Sequence, residues 1–336
     1  MSNEIEVKGN TDPKFETIKA VFKENFKGFG EVGASFAVFL NNKFVVDIWG
    51  GYSNPEKTNL WNKDSIAKVY STNKIITAIC ALILVDKGLL DLDAPVAKYW
   101  PEFAQSGKEK LPVRYLFSHS AGLPGFDEKI TVEDLKDWNK IVNILARQKS
   151  WWEPGTKIGY HATTMYYLLG ELVRRISGKP ISQFFREEIA EPFNIDYHIM
   201  LPEKFRTNFA DMIPASSSIS SIVIFRVWSN PDLSNVHDND SIWFDIETRG
   251  FGNARSVARI GSIIANGGIL DGTQILSAKT IAKSIEEQIF DIDLVLAAKI
   301  RYGLGWGLKT DYHSFPSPNT AYWGGHGRVF AHYGFR

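Results

Sequence analysis

Residues 70–88 read YSTNKIITAICALILVDKG. From Ile75 to Val85 the run is almost wholly apolar, so the spacing predicts a helix over Thr72–Lys87 with no polar face, buried on all sides. Ser71 and Lys74 are three apart, and on a helix they project as neighbours from one face. A Ser that opens a helix has an unpaired N–H, and the partial positive charge there favours a developing alkoxide or oxyanion. A buried lysine with no carboxylate near it in sequence is costly unless it is neutral or paired. A neutral lysine one turn on can accept the hydroxyl proton. Ser65-Ile66-Ala67-Lys68 repeats the spacing just upstream, in a mixed segment rather than an apolar helix. Short patterns of this kind arise by chance, so context has to separate the two.

The rest of the chain bounds the function. Its 336 residues carry 38 Lys+Arg against 38 Asp+Glu, and 44% are apolar, an ordinary globular composition for one large domain or two sharing a chain. Balanced charge without a Lys/Arg run argues against a nucleic-acid partner. A single cysteine, Cys80, excludes an intramolecular disulfide and a Cys-based zinc site. The 7 histidines form no His-x-x-x-His pair, so no metal is expected. Gly50-Gly51 and Gly267-Gly268 lack the spacing of a dinucleotide fingerprint, and no other cofactor motif is present. The polar start MSNEIEVKGNTDPKFE has no apolar core of a signal peptide. Ile75–Val85 falls well short of the roughly 20 residues of a membrane span. The expectation is a soluble, cytoplasmic protein with no membrane span. A homo-oligomer is compatible with a sequence that does not report oligomeric state.

Asp12-Pro13 predicts a capped helix carrying Phe15, Ile18, Val21, Phe22 and Phe26 on one face. Ala34–Leu40 and Lys43–Trp49, joined by Asn41-Asn42, predict an antiparallel hairpin. Helical patterns then dominate at Glu133–Gln148, Thr163–Ser177 and Ile181–Ala190, with a polar loop over 214–247. Helices resume at Ala254–Asn266 and Ser277–Glu287, and Tyr302–Lys309 and Asn319–Phe335 read as strands. The order predicts an α+β fold: an antiparallel sheet flanked by helices, from residues 1–65 and 250–336, plus a mainly helical domain at 66–249, with the active site between them.

Two further stretches carry candidate chemistry. In WWEPGTKIGYH (151–161) a Pro-Gly turn leads to Tyr160, whose phenol near a lysine and a serine could relay a proton. Read alone, a core tyrosine with a satisfied hydroxyl is the preferred reading. Phe117-Ser118-His119-Ser120 offers a histidine among hydroxyls, for which a structural role in a turn is preferred.

Together these segments resemble the serine β-lactamase-like superfamily with its transpeptidase-like fold, and most closely its class C, penicillin-binding-protein and family VIII carboxylesterase branch, including animal β-lactamase-domain proteins. VVDIWGGY, YSTNK, DKGLLDLDAPVAKYWPEF, LFSHSAGLP, PGTKIGYHATTMYYLLGELVRRISGKPI and NARSVARIGSIIANGG carry the resemblance by their order and spacing. It implies that Ser71 is the acylated nucleophile, Lys74 its general-base partner, and Tyr160 the tyrosine of the proton-transfer network. The chain departs from its relatives at Tyr160-His161-Ala162, where many have Tyr-x-Asn; losing the amide that holds a β-lactam side chain favours an ester. For the strand that supplies an oxyanion N–H, Trp323-Gly324-Gly325 competes with His332-Tyr333-Gly334, and the His332 stretch is preferred because it follows Phe330-Ala331 as in relatives. Relatives continue beyond this motif with further strands and a helix, so a chain ending at Arg336 is expected to be a fragment or a divergent form.

The resulting expectation is a serine hydrolase that forms an acyl-enzyme, a carboxylesterase on small-molecule esters, with Trp151, Trp152, Tyr166, Tyr167 and Trp323 near its pocket. A peptidase or weak β-lactamase on the same site is the nearest rival. A non-catalytic, self-assembling scaffold that keeps the fold is the alternative from another class.

Overall fold

The computed structural model describes residues 5–213, 227, 230, 231, 233, 236–312, 315, 317, 319–325 and 329–334, with only the backbone of 329 and 330. Strands and helices are numbered here in chain order. Three strands, β1 (Val7–Thr11), β2 (Gly33–Leu40) and β3 (Lys43–Gly51), form an antiparallel sheet in the order β1-β3-β2. Asn41 and Asn42 turn the β2–β3 hairpin in left-handed conformation, φ 51° and 60°, which short Asx side chains tolerate. The helix after Asp12-Pro13 starts as a short 3₁₀ turn and runs as α1 (Thr17–Gly28), seating Phe22 on Val45, Val46 and Ile48. Asp12 does not cap it; its carboxylate meets Lys43 at 3.6 Å.

The opening is strand, helix, hairpin, rather than the helix, strand, strand of the sequence reading. VKGNT in β1 shows no apolar alternation. Gly9 there adopts φ 98°, and a Cβ would lie 2.0 Å from the Asp47 carbonyl oxygen, so close backbone contact selects this segment.

The apolar run forms α2 (Asn73–Asp86), with every residue from Asn73 to Leu84 buried. It packs against α5 (Thr164–Ser177), which Gly178 closes at φ 73°. Two shorter helices, α3 (Arg114–Phe117) and α4 (Trp138–Arg147), precede α5. The helix predicted over Glu133–Gln148 is divided, because the Asp137 side chain accepts from Lys140 N and starts α4 afresh. α6 (Ile181–Phe185) continues as one π turn, Arg186–Ala190. Most of the 214–234 part of the expected loop lies outside the described residues, and Ser241–Asp245 is a short 3₁₀ turn.

After an Asn253–Ser256 capping box, α7 (Ala254–Ala265) lies across both sheets, and α8 (Ala278–Ser284) follows. α8 is shorter than the predicted Ser277–Glu287 because the alternating IFDID of β9 (Ile289–Asp293) begins just beyond it. β9 joins β10 (Ala298–Tyr302), β11 (Gly307–Leu308), β12 (Thr320–Gly325) and β13 (Val329–Gly334) in an antiparallel sheet of order β13-β12-β11-β10-β9. β2 and β13 are the facing edges of the two sheets. They line an apolar groove of about 1700 Å³ that includes neither Ser71 nor Lys74. A third small sheet joins β4 (Ala67–Lys68), β6 (Gly250–Gly252) and β5 (Tyr197–Ile199). One core cluster runs from Val69 through α2, α5 and α7 to Tyr333. Among the described residues no helix is long and apolar enough to cross a membrane, and no group of side chains is arranged to hold a metal ion.

Candidate active site

Strand β4 delivers the chain to the site. Tyr70, at φ 47°, reverses the backbone, and Tyr70–Thr72 forms a 3₁₀ turn that flows into α2. Ser71 therefore stands partly exposed at the mouth of a helix whose next residues are all buried. Lys74, one turn on, is 0% exposed. Its Nζ lies 3.5 Å from Ser71 Oγ and donates to the Ala162 carbonyl at 2.6 Å. The rings of Tyr160 and Tyr166 enclose it, with centroids 4.6 and 4.1 Å from Nζ.

No carboxylate pairs with Lys74 among the described residues. Burial drives its pKa well below the ordinary lysine value, and the Arg249 charge pushes in the same direction. A neutral amine with one N–H committed to Ala162 O keeps its lone pair for the Ser71 proton.

Tyr160 arrives from a distant loop and is held by its backbone. Its N–H donates to Asp293 Oδ1 at 3.0 Å. The same oxygen accepts from Val295 N and Leu296 N at 2.9 and 2.8 Å, and Oδ2 accepts from the Tyr302 hydroxyl at 3.0 Å. Four donors thus satisfy a fully buried carboxylate. Among the described residues Tyr160 Oη makes no hydrogen bond, although Ser71 and Trp323 lie near enough to favour its ionised form; burial outweighs both and raises the phenol pKa.

His119 and His161 complete the scaffold. His161 Nδ1 donates to Gly159 O at 2.7 Å, which leaves Nε2 to accept from Leu123 N at 3.1 Å. His119 Nδ1 accepts from His161 N at 3.1 Å. Burial holds His161 down to about 3 and His119 well below the usual histidine value, so neither is charged near neutrality. His119 serves the turn, as its setting among hydroxyls suggested.

β12 edges the site. A Cβ on Gly325 would lie 2.5 Å from Val69 O and 3.3 Å from Ser71 N, so only glycine lets this strand approach the 3₁₀ turn. The Trp323 ring packs on Tyr160 and His119 at 5.3 and 5.9 Å. In the register Trp323 opposes Ala331, so His332 falls on the other face with its partner Tyr322. His332 sits against Phe315 at 4.6 Å, and Gly334 pairs with Thr320 at the far end of the strand. The structure therefore brings together Ser71, Lys74, Tyr160, Trp323 and Gly325, and not His332 or Gly334. The preference between the two stretches reverses: Phe330-Ala331 matched by order, but strand alternation decides which side chains face Ser71.

The sequence reading did not single out Asp293 or Arg249, and it named Tyr166 only among the aromatics near the pocket. Tyr166 Oη donates to Tyr70 O at 3.3 Å and bounds the pocket beside Ser71. A buried aspartate within an apolar strand segment was the one available signal for Asp293.

Comparison with known proteins shows the family and the fold. The Beta-lactamase family model matches residues 22–335. The chain is 31% identical to Esterase/beta-lactamase LipL of Mycobacterium tuberculosis over 93% of its length and 76% of that protein. A crystal structure of a family VIII carboxylesterase superposes with a TM-score of 0.92 at 36% identity, covering 98% of this chain and 90% of that one. A penicillin-binding protein homolog from Caulobacter crescentus superposes with a TM-score of 0.90 at 30% identity, with the same coverage. With antiparallel sheets flanked by helices and a buried helical layer, this chain has the β-lactamase/transpeptidase-like fold and belongs to the Beta-lactamase family of hydrolases.

Proposed function

We propose that the protein is a serine hydrolase working through an acyl-enzyme on small carboxylic esters. One observation carries this reading: a fully buried lysine without a counterion, 3.5 Å from a partly exposed serine hydroxyl. Neutral Lys74 takes the Ser71 proton as Oγ bonds to the ester carbonyl carbon. Ser71 N–H and a backbone N–H at the end of β12 stabilise the oxyanion; one such donor is typically worth about 10²–10³ in turnover. As the tetrahedral intermediate collapses, the proton on Lys74 passes, with Tyr160, to the departing alcohol oxygen. Water then attacks the acyl carbon and gives a proton to Lys74, and that proton passes to Ser71 Oγ as its bond to the acyl carbon breaks and the acid leaves.

The Tyr160-His161-Ala162 segment supports an ester over a β-lactam. Where many relatives offer an amide, Ala162 contributes only its carbonyl to Lys74, and His161 is turned inward onto Leu123 and Gly159. The sheet portion, 1–65 and 250–336, and the helical portion, 66–249, then meet at this site as two domains flanking one cleft.

Hydrolysis of p-nitrophenyl acetate and butyrate tests the reading. Ser71→Ala should lose about 10³-fold or more, and a fluorophosphonate probe should add to the wild type in intact-mass spectra but not to the variant. Equal rates in both proteins would leave the non-catalytic scaffold as the better account.

A further inference from the structure

The segment Thr248–Gly250 is stapled to the start of the nucleophile helix on both sides. Asn73 Nδ2 donates to Thr248 O at 3.1 Å, and Val69 N donates to Gly250 O at 3.0 Å. Arg249 lies between these bonds, where β6 continues the antiparallel register that sets Lys68 opposite Phe251. Its backbone is therefore fixed alongside Tyr70 and Ser71.

The side chain is fixed as well. The guanidinium carbon lies 4.7 Å from the Trp243 ring centroid. Trp243 also receives Lys68, at 5.0 Å, but Lys68 is paired with Asp238 at 2.8 Å. Arg249 makes no ion pair and no side-chain hydrogen bond among the described residues, and its Nε is buried without a partner. Its charge bears on Lys74 and Tyr166, which lie beside the Ser71 hydroxyl, and on Tyr70 and Lys68. An arginine packed on an aromatic ring, partly exposed and without a carboxylate partner among the described residues, presents unused donors with the fork geometry that matches a carboxylate.

We propose that Arg249 is an anion subsite of the active site, receiving a carboxylate carried by the ester substrate. The proposal rests on the esterase reading above and narrows it to half-esters of dicarboxylic acids or esters with an acidic leaving group. Uncharged esters then bind beside an unsatisfied guanidinium and are the poorer substrates.

The test compares charged and neutral partners of similar size. On the acyl side, the 4-nitrophenyl monoester of adipic acid is set against 4-nitrophenyl hexanoate. On the leaving-group side, 4-acetoxybenzoate is set against its methyl ester. The readout is the ratio of kcat/KM, charged over neutral, so any general effect of Arg249 on Lys74 cancels. In at least one arm the wild-type ratio should exceed the Arg249→Gln ratio by about ten-fold or more, with Arg249→Lys retaining part of it. Equal ratios in wild type and Arg249→Gln in both arms would overturn the subsite. Free adipate, titrated against the tryptophan fluorescence of Ser71→Ala protein, separates this proposal from the esterase reading. Saturable binding that Arg249→Gln abolishes supports the subsite even in a protein that hydrolyses nothing, and binding indifferent to Arg249 defeats it even in an active esterase.

Discussion

Two Ser-x-x-Lys segments lie within ten residues of each other, and both lysines are buried: Lys68 is 2% exposed and Lys74 is 0%. Their surroundings differ in one respect. Lys68 Nζ holds both Asp238 Oδ1 and the Asp238 carbonyl at 2.8 Å, so burial lowers its pKa only to about 8. Lys74 has a carbonyl and a hydroxyl and, among the described residues, no carboxylate. Backbone shape differs too. Ser65 sits before strand β4 and its hydroxyl accepts from Asn62 N, whereas Ser71 and Lys74 share one helical turn. Spacing alone sets neither lysine's chemistry. A counterion offsets burial at Lys68, whereas at Lys74 burial and the Arg249 charge both push toward the neutral amine.

Removing each lysine's distinguishing feature should break this contrast. Lys74→Met should lower kcat on p-nitrophenyl butyrate about 10²–10⁴-fold, the usual worth of a positioned proton acceptor. The same variant should be more stable near neutrality. A lysine whose folded pKa is depressed binds fewer protons folded than unfolded, so its cost is full below the folded pKa and fades as pH rises toward about 10.4. Thermal melts should therefore show a Tm gain for Lys74→Met at neutral pH that narrows by about pH 10; a variant that is both inactive and destabilised at every pH would contradict a neutral Lys74.

Asp238→Asn should convert Lys68 into a second uncompensated lysine. The loss should be about 1–3 kcal/mol near neutrality, since Asp238 is itself partly exposed, and it should shrink as alkaline pH deprotonates the unfolded chain. Urea melts at two pH values measure it, and a pH-independent loss would assign Asp238 a role unrelated to the Lys68 charge. The smallest effect is on the pH–rate profile. Activity should rise through an apparent pKa below that of free lysine, about 10.4, and removing the Arg249 charge should move the rise upward. That pKa belongs to the Lys74–Tyr160 network. A profile flat from about pH 5 to 10 in both proteins would exclude Lys74 as the titrating base in that range.

What could be read in advance was local. Helix α2, the Asn41-Asn42 hairpin and the Gly178 stop each follow from neighbours within a few residues, and so does the adjacency of Ser71 and Lys74. Tyr160 lies 86 residues beyond Lys74 by sequence number, so no spacing rule links them; family resemblance did. The choice between Trp323 and His332 turned on strand alternation, which becomes fixed only when β12 meets the nucleophile turn through Gly325. β1 and Arg249 went unread for the same reason. Neither VKGNT nor an arginine at the end of an irregular polar stretch carries periodicity, and partners far along the chain give both their places.

Asp293 makes assembly of this site conditional. The tyrosine loop, the residues just after β9 and the β10 hydroxyl all converge on one buried carboxylate, and those last two pieces are among the late parts of the chain. On the proposed mechanism, until they dock Lys74 would lack its full aromatic enclosure and stay hydrated and protonated. An emerging polypeptide would then be unreactive toward esters after Ser71 is synthesised, and would gain reactivity only on tertiary closure.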